Sequence, residues 1–174
     1  AAIFHYRCGG SLGLMKHIPP AYAGSLALLA DALLDPGSFR EQGPIAGYSQ
    51  RDAEGNLQAF SPANYVLGFG KIDGRPVVVG GEDFTLRGGS PSPAGNRKSV
   101  FLEELACQYQ VPMIRLLEGG GGSVGRPAGG QSAAPDPGLD ASAPRFMSIM
   151  RAMAQAPVVS AALGAVAGLP AARL

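Results

Sequence analysis

The chain has little of what most catalytic sites are built from. It holds two cysteines, Cys8 and Cys107, and two histidines, His5 and His17. Two thiols this far apart make neither a disulfide framework nor a zinc cluster, so two reduced side chains are expected. No Ser/His/Asp or zinc-ligand spacing occurs. Both histidines lie in the least organised part of the sequence, where solvated loop positions are expected rather than acid, base or ligand roles. Charge is sparse and balanced, with 14 Lys and Arg against 13 Asp and Glu, so nothing draws the chain to nucleic acid or to anionic lipid. No apolar run reaches the roughly 18 residues of a membrane span. Residues 1–13 lack the basic and apolar regions of a signal peptide. These absences together predict a cytoplasmic protein with no membrane or nucleic-acid partner.

Glycine is what the chain has in excess. Gly 26 and Pro 15 among 174 residues predict many turns. A hydrophobic share of 46% against 16% charged is nevertheless that of a globular domain. Residues 25–34 read as a short helix that starts at Ser25 and stops at the turn residues Asp35-Pro36-Gly37-Ser38. Residues 65–72 and 76–84 read as two strands joined at Asp73-Gly74, a dipeptide suited to a tight turn with positive φ at both central positions. Pro76 falls at a strand start, where its missing donor is tolerated. Residues 93–110 carry Val100, Leu102, Leu105 and Ala106 at helical spacing, with Arg97, Lys98, Glu103 and Glu104 between them. Residues 111–117 read as a further strand, so strand, helix and strand predict a right-handed parallel crossover. Residues 123–143 are Gly, Ala, Pro and Ser with little else and read as a mobile low-complexity loop. Residues 146–154 read as a helix, 157–163 as a buried strand and 169–174 as the start of a helix, with Pro170 in its first turn.

Two glycine-rich turns follow predicted strands, one at residues 119–122 and one at 164–168. A missing Cβ lets a ligand carbonyl approach the main chain. A helix start adds orphan N–H donors and partial positive charge. Two such turns can form an oxyanion hole, which stabilises an enolate without any ionisable side chain. The same spacing is also that of two ordinary tight turns. Gly120-Gly121-Gly122-Ser123-Val124-Gly125 matches a dinucleotide fingerprint in form, but that site needs a helix opening there, and Arg126-Pro127 follows instead. A phosphate-binding Walker loop would need Gly-Lys-Ser/Thr, which this turn lacks.

From about Ala30 onward the order of motifs resembles the carboxyltransferase β subunit of biotin-dependent acyl-CoA carboxylases, of the propionyl-CoA and methylcrotonyl-CoA type. The stretches that carry it are Leu33-Leu34-Asp35-Pro36-Gly37-Ser38-Phe39-Arg40-Glu41, then Gly70-Lys71-Ile72-Asp73-Gly74-Arg75-Pro76-Val77, then Glu82-Asp83-Phe84-Thr85 with Gly88-Gly89-Ser90. Val111-Pro112 before the first glycine turn and Pro157-Val158-Val159 before Gly164-Ala165-Val166-Ala167-Gly168 complete the series. The resemblance implies an α/β, crotonase-like fold of stacked ββα units, incomplete here. Residues 30–174 would form a partial amino-terminal carboxyltransferase domain, preceded by a poorly matched segment, residues 1–29. It implies transfer of a carboxyl group from carboxybiotin, carried by a biotin carboxylase and carboxyl-carrier partner, to the α-carbon of an acyl-CoA. It implies homo-oligomers of the carboxyltransferase subunit. By position, the backbone amides of Gly168 and Leu169 would form the oxyanion hole. Gly120, Gly121 and Gly122 would wall the acyl-CoA pocket. Gly88, Gly89, Ser90, Arg97 and Lys98 would lie near the CoA.

The sequence departs from that family at both turns. The family's usual Asp-Ser-Gly-Gly-Ala-Arg is Glu118-Gly119-Gly120-Gly121-Gly122-Ser123 here, so a polar anchor and an arginine are gone. The usual Ala-Gly-Gly-Ala is Ala167-Gly168-Leu169-Pro170, in which Leu169 keeps an amide and Pro170 has none. The family's second, biotin-receiving half has no counterpart, so no carboxylase activity is expected of this chain alone. Two further readings stand beside the first. One is another crotonase-type acyl-CoA hydratase or hydrolase, for which Glu118 is the candidate acid or base. The other is a truncated, non-catalytic assembly module.

Overall fold

A computed structural model describes residues 32–119, 121, 145–168 and 170–174. The expected loop at 123–143, the segment 1–29 and most of the helix expected at 25–34 lie outside them. The clearest local unit is the hairpin of β4 (Tyr65–Ile72) and β5 (Arg75–Glu82). Its turn residues Asp73 and Gly74 have φ of 49° and 76°, the left-handed region that an aspartate–glycine turn occupies at low steric cost.

A distant segment closes this turn. The Asp35 carboxylate accepts hydrogen bonds from the N–H groups of Asp73 (2.9 Å) and Gly74 (2.8 Å). The Asp35 N–H donates to Lys71 O at 2.8 Å, and Ser38 Oγ accepts from Lys71 N–H at 3.0 Å. Two glycines of β4 leave room for the clamp: a Cβ at Gly70 would lie 2.7 Å from Leu34 Cδ1, and one at Gly68 would lie 2.8 Å from the Phe39 ring. Replacing Asp35 by alanine strips two N–H groups of a charged acceptor and should cost about 1–2 kcal/mol. A fall in the urea midpoint at constant m-value checks this; an unmoved midpoint would mean the clamp contributes nothing.

Helix α1 (Pro93–Tyr109) begins where Ser92 Oγ accepts from Gly95 N–H at 3.0 Å, with Pro93 in the first turn, where a missing donor is harmless. It ends at Gln110 in a left-handed conformation, φ 51°. Strand β6 (Met113–Gly119) returns parallel to β5, pairing Val78 with Met113, as the strand–helix–strand order requires. Helix α2 (Arg145–Gln155) leads to β7 (Val158–Val166), parallel to β6. With the short β1 (Arg40–Glu41) antiparallel to β4, the sheet runs β1-β4-β5-β6-β7. A separate hairpin of β2 (Gly47–Arg51) and β3 (Leu57–Pro62) turns at Asp52, whose carboxylate accepts from Asn56 N–H at 2.7 Å. Side-chain hydrogen bonding by Gln58, aided by Asn56, holds that carboxyl below its ordinary range.

Two apolar layers pack against this sheet. Tyr65, Leu67, Val78 and Met113 meet Leu102, Leu105 and Ala106 of α1 and Ala152 of α2. Leu34, Val66, Val77, Val79 and Leu116 form the other, with Phe39 and Ile114 beside them.

Three expectations are corrected. The buried strand expected at 157–163 extends to Val166, and none of its residues is fully buried, because it is the outermost strand among the described residues. The turn expected from Gly164 starts only at Ala167. After a register shift beyond Ala162, Val166 pairs with Gly119, and Ala167 N–H donates to Gly119 O at 3.0 Å, so the strand continues through Gly164 to rejoin the ladder. The helix expected at 169–174 is a single 3-10 turn, Ala171–Arg173.

Candidate functional site

Strands β5, β6 and β7 run parallel, so their carboxyl ends lie on one side of the sheet, the side on which ligands bind in open α/β sheets. Glycines gather there. The 3-10 turn Arg87–Gly89 packs onto the end of β6, where Gly88 and Gly89 have φ of 59° and 68°. A Cβ at Gly89 would overlap the Glu118 carbonyl oxygen and lie 2.8 Å from Gly119 Cα. Gly121, φ 81°, backs onto the second turn: a Cβ there would stand 3.1 Å from Ala167 O and 3.3 Å from Gly168 N. Gly168 is exposed, with φ of 64°. Two main-chain turns therefore approach within the width of a side chain, and only glycine permits it.

Of the expected site residues, Gly88, Gly89, Gly121 and Gly168 thus fall at these strand ends. Ser90 follows as a buried residue whose carbonyl accepts from Asn64 Nδ2. Gly120, Gly122 and Leu169 lie outside the described residues. Arg97 is exposed on α1. Lys98 is buried, 3.5 Å from Glu41 in β1, and donates to Gly43 O at 3.1 Å. That places its charge at the sheet edge opposite β7, where it ties α1 to the β1 segment. Glu118 is half-buried, with Oε1 only 2.9 Å from where a Cβ of Gly164 would stand; the glycine in β7 leaves room for it.

A buried ionic cluster beneath the glycine turns was not expected. Glu103 of α1 faces inward, 3.8 Å from Arg115 Nη2 of β6 and 3.9 Å from Arg173 Nη2. Glu82, at the end of β5, and Tyr65 lie against the same group. Burial pushes the Glu82 carboxyl up from its ordinary range, against backbone hydrogen bonding at Glu82 and Glu118 and the two arginines. Burial likewise pushes the Tyr65 hydroxyl up and draws the Arg115 guanidinium down. One signal pointed here: Arg115 is a lone charge inside the apolar run of residues 111–117. Next to the cluster, a cavity of about 10 Å³ lies between Asn64, Glu82, Ser99, Pro170 and Arg173. It has room for about one water molecule and is far too small for an acyl group.

Among the described residues no group of three or more His, Cys, Asp or Glu is placed to hold a metal ion. No helix there is long and apolar enough to cross a membrane.

The chain is 36% identical over 96 residues to a propionyl-CoA carboxylase beta chain of Roseobacter denitrificans, covering 54% of this chain and 18% of that one. It is 37% identical over 98 residues to a biotin-dependent 3-methylcrotonyl-coenzyme A carboxylase beta1 subunit of Mycobacterium tuberculosis, covering 55% of this chain and 17% of that one. It therefore spans less than a fifth of the length of these relatives. Among solved structures it is similar to a single-chain, multi-domain long-chain acyl-CoA carboxylase (TM-score 0.68, 26% identity, 99% of this chain and 18% of that one). It is also similar to a chain of the Pseudomonas malonate decarboxylase hetero-dimer (TM-score 0.55, 28% identity, 81% of this chain and 53% of that one). The carboxyl transferase domain model matches residues 28–171, and the chain is a member of the carboxyl transferase domain family.

Proposed function

We propose that this chain supplies the acyl-CoA side of a carboxyltransferase site. In that site a carboxyl group moves from carboxybiotin, presented by a partner subunit, to the α-carbon of a CoA thioester. In that step the α-carbon would lose its proton to the ureido nitrogen that the carboxyl group leaves, so that one C–N bond breaks and one C–C bond forms, while negative charge would pass through the thioester oxygen. The observation that carries the reading is the meeting of Gly89, Gly119, Gly121 and Gly168 at the ends of β6 and β7. Backbone donors aimed at a developing oxyanion stabilise it with no side-chain proton chemistry. Gly168 and Leu169 take that role here, Gly120, Gly121 and Gly122 wall the pocket, and Gly88, Gly89, Ser90 and Arg97 lie on the CoA side. The β4–β5–α1 succession is one ββα unit, which supports a crotonase-like fold. Assembly with further carboxyltransferase subunits and with a biotin-carrying partner belongs to the same reading.

Calorimetric titration with propionyl-CoA tests it. The chain is expected to bind the thioester. Gly121→Val, whose Cβ would stand 3.1 Å from Ala167 O and whose methyl groups would crowd the turn further, is expected to weaken binding at least about tenfold, roughly the worth of one lost hydrogen bond. No binding by the unaltered chain, or equal binding by the variant, would overturn the proposal.

A further inference from the structure

Gly168 itself is exposed, and an exposed turn residue needs an anchor if it is to hold a fixed geometry. The structure supplies one five residues on. Arg173 is 6% exposed, although it belongs to a single 3-10 turn one residue before Leu174. Its guanidinium reaches inward to Glu103 on α1, at 3.9 Å. Its carbonyl oxygen accepts two side-chain hydrogen bonds, from Arg115 Nη1 of β6 at 3.0 Å and from Ser160 Oγ of β7 at 3.0 Å. Between the anchor and the glycine, Ala172 N–H donates to Gly168 O at 3.2 Å and Arg173 N–H donates to Pro170 O at 3.1 Å. Pro170 is itself buried. One residue is therefore tied to α1, β6 and β7 at once, and the backbone bonds carry that fixation back to Gly168.

We propose that Arg173 is the positioning residue of the Gly168 turn: pinned by Glu103, Arg115 and Ser160, it holds the turn's backbone in the geometry that receives a thioester oxygen. The inference rests on the oxyanion-hole reading above. Arg173 touches no substrate and acts only through the turn. Its removal should therefore weaken recognition of the thioester group while leaving contacts to the rest of coenzyme A as they were. A general structural defect would weaken both.

The test compares propionyl-CoA with free coenzyme A, each titrated calorimetrically into the unaltered chain and into Arg173→Met. The preference of the unaltered chain for the thioester is expected to fall about tenfold in the variant, the scale of one well-made hydrogen bond, with the affinity for free coenzyme A unchanged. Equal losses for both ligands, or an unchanged preference, overturn the assignment. Should Arg173→Met fail to fold, Ser160→Ala removes one hydrogen bond to the Arg173 carbonyl from the half-buried β7 and is expected to lower the preference about threefold; an unchanged preference there overturns the assignment. If the unaltered chain binds free coenzyme A but shows no preference for the thioester, the oxyanion-hole reading fails, and this inference with it. A preference that the unaltered chain has and Arg173→Met retains sinks Arg173 alone.

Discussion

Gly89→Ala should destabilise the chain by more than about 2 kcal/mol and abolish thioester binding. Two costs add. With φ at 68°, an L-residue at position 89 carries a left-handed penalty of about 1–2 kcal/mol. The new Cβ would also press into backbone, the Glu118 carbonyl oxygen and Gly119 Cα at 2.8 Å, and backbone cannot rotate aside as a side chain does. The end of β6 must shift, and with it the turn that faces Gly168. Gly55→Ala is the control: its φ is 87°, but a Cβ there meets nothing within 4 Å, so it shows the backbone penalty alone. Chemical denaturation of both variants, with propionyl-CoA titration of each, separates the contributions. Equal stability losses for the two would show that the contact between the Gly89 turn and β6 is soft and sets nothing in the site.

The residues that declared their structure in advance are those whose cause is local. Asp73-Gly74 could be read because a two-residue turn needs positive φ at adjacent positions and few dipeptides allow it. Helix α1 could be read from its apolar spacing. The parallel crossover followed from element order alone. The β2–β3 hairpin went unread because its residues are mostly exposed, so no apolar face imposes a period of two. Gly164 was taken for a turn because glycine clusters usually mark one. Here the β6–β7 ladder, which links residues more than forty positions apart, keeps it in the strand, and its missing side chain makes room for Glu118. At the site, the glycine-rich stretches could be singled out, but not their meeting: the approach of Gly121 to Ala167 follows from the parallel register of β6 and β7. The inward orientation of Lys98 went unread for the related reason that helical spacing alone does not say which charged residues face inward. Lys98 and Glu103 both do, each with an opposite charge brought by a distant element.

That inward charge gives the larger stability effect. Glu103 is 1% exposed and stands between the guanidinium groups of Arg115 and Arg173. At 3.8 and 3.9 Å the pairs act through charge more than through short hydrogen bonds, and in a buried setting that attraction is little screened. Glu103→Ala leaves two cations facing each other with their anion gone, and breaking a buried pair in this way costs roughly 3–5 kcal/mol. The burial that already draws the Arg115 guanidinium down is then no longer opposed by Glu103, the largest influence favouring its charge. Replacing Glu103 and Arg115 together, by alanine and methionine, should cost less than the two single changes combined, because the double variant no longer buries that arginine beside an empty site. Urea unfolding of the two single variants and the double gives the coupling directly. A loss under about 1 kcal/mol for Glu103→Ala is what a solvent-screened surface pair would give, and it would show that water reaches the cluster. The sheet ends would then be held by the apolar layers alone, and the Gly168 turn would lack the rigid floor on which its approach to Gly121 depends.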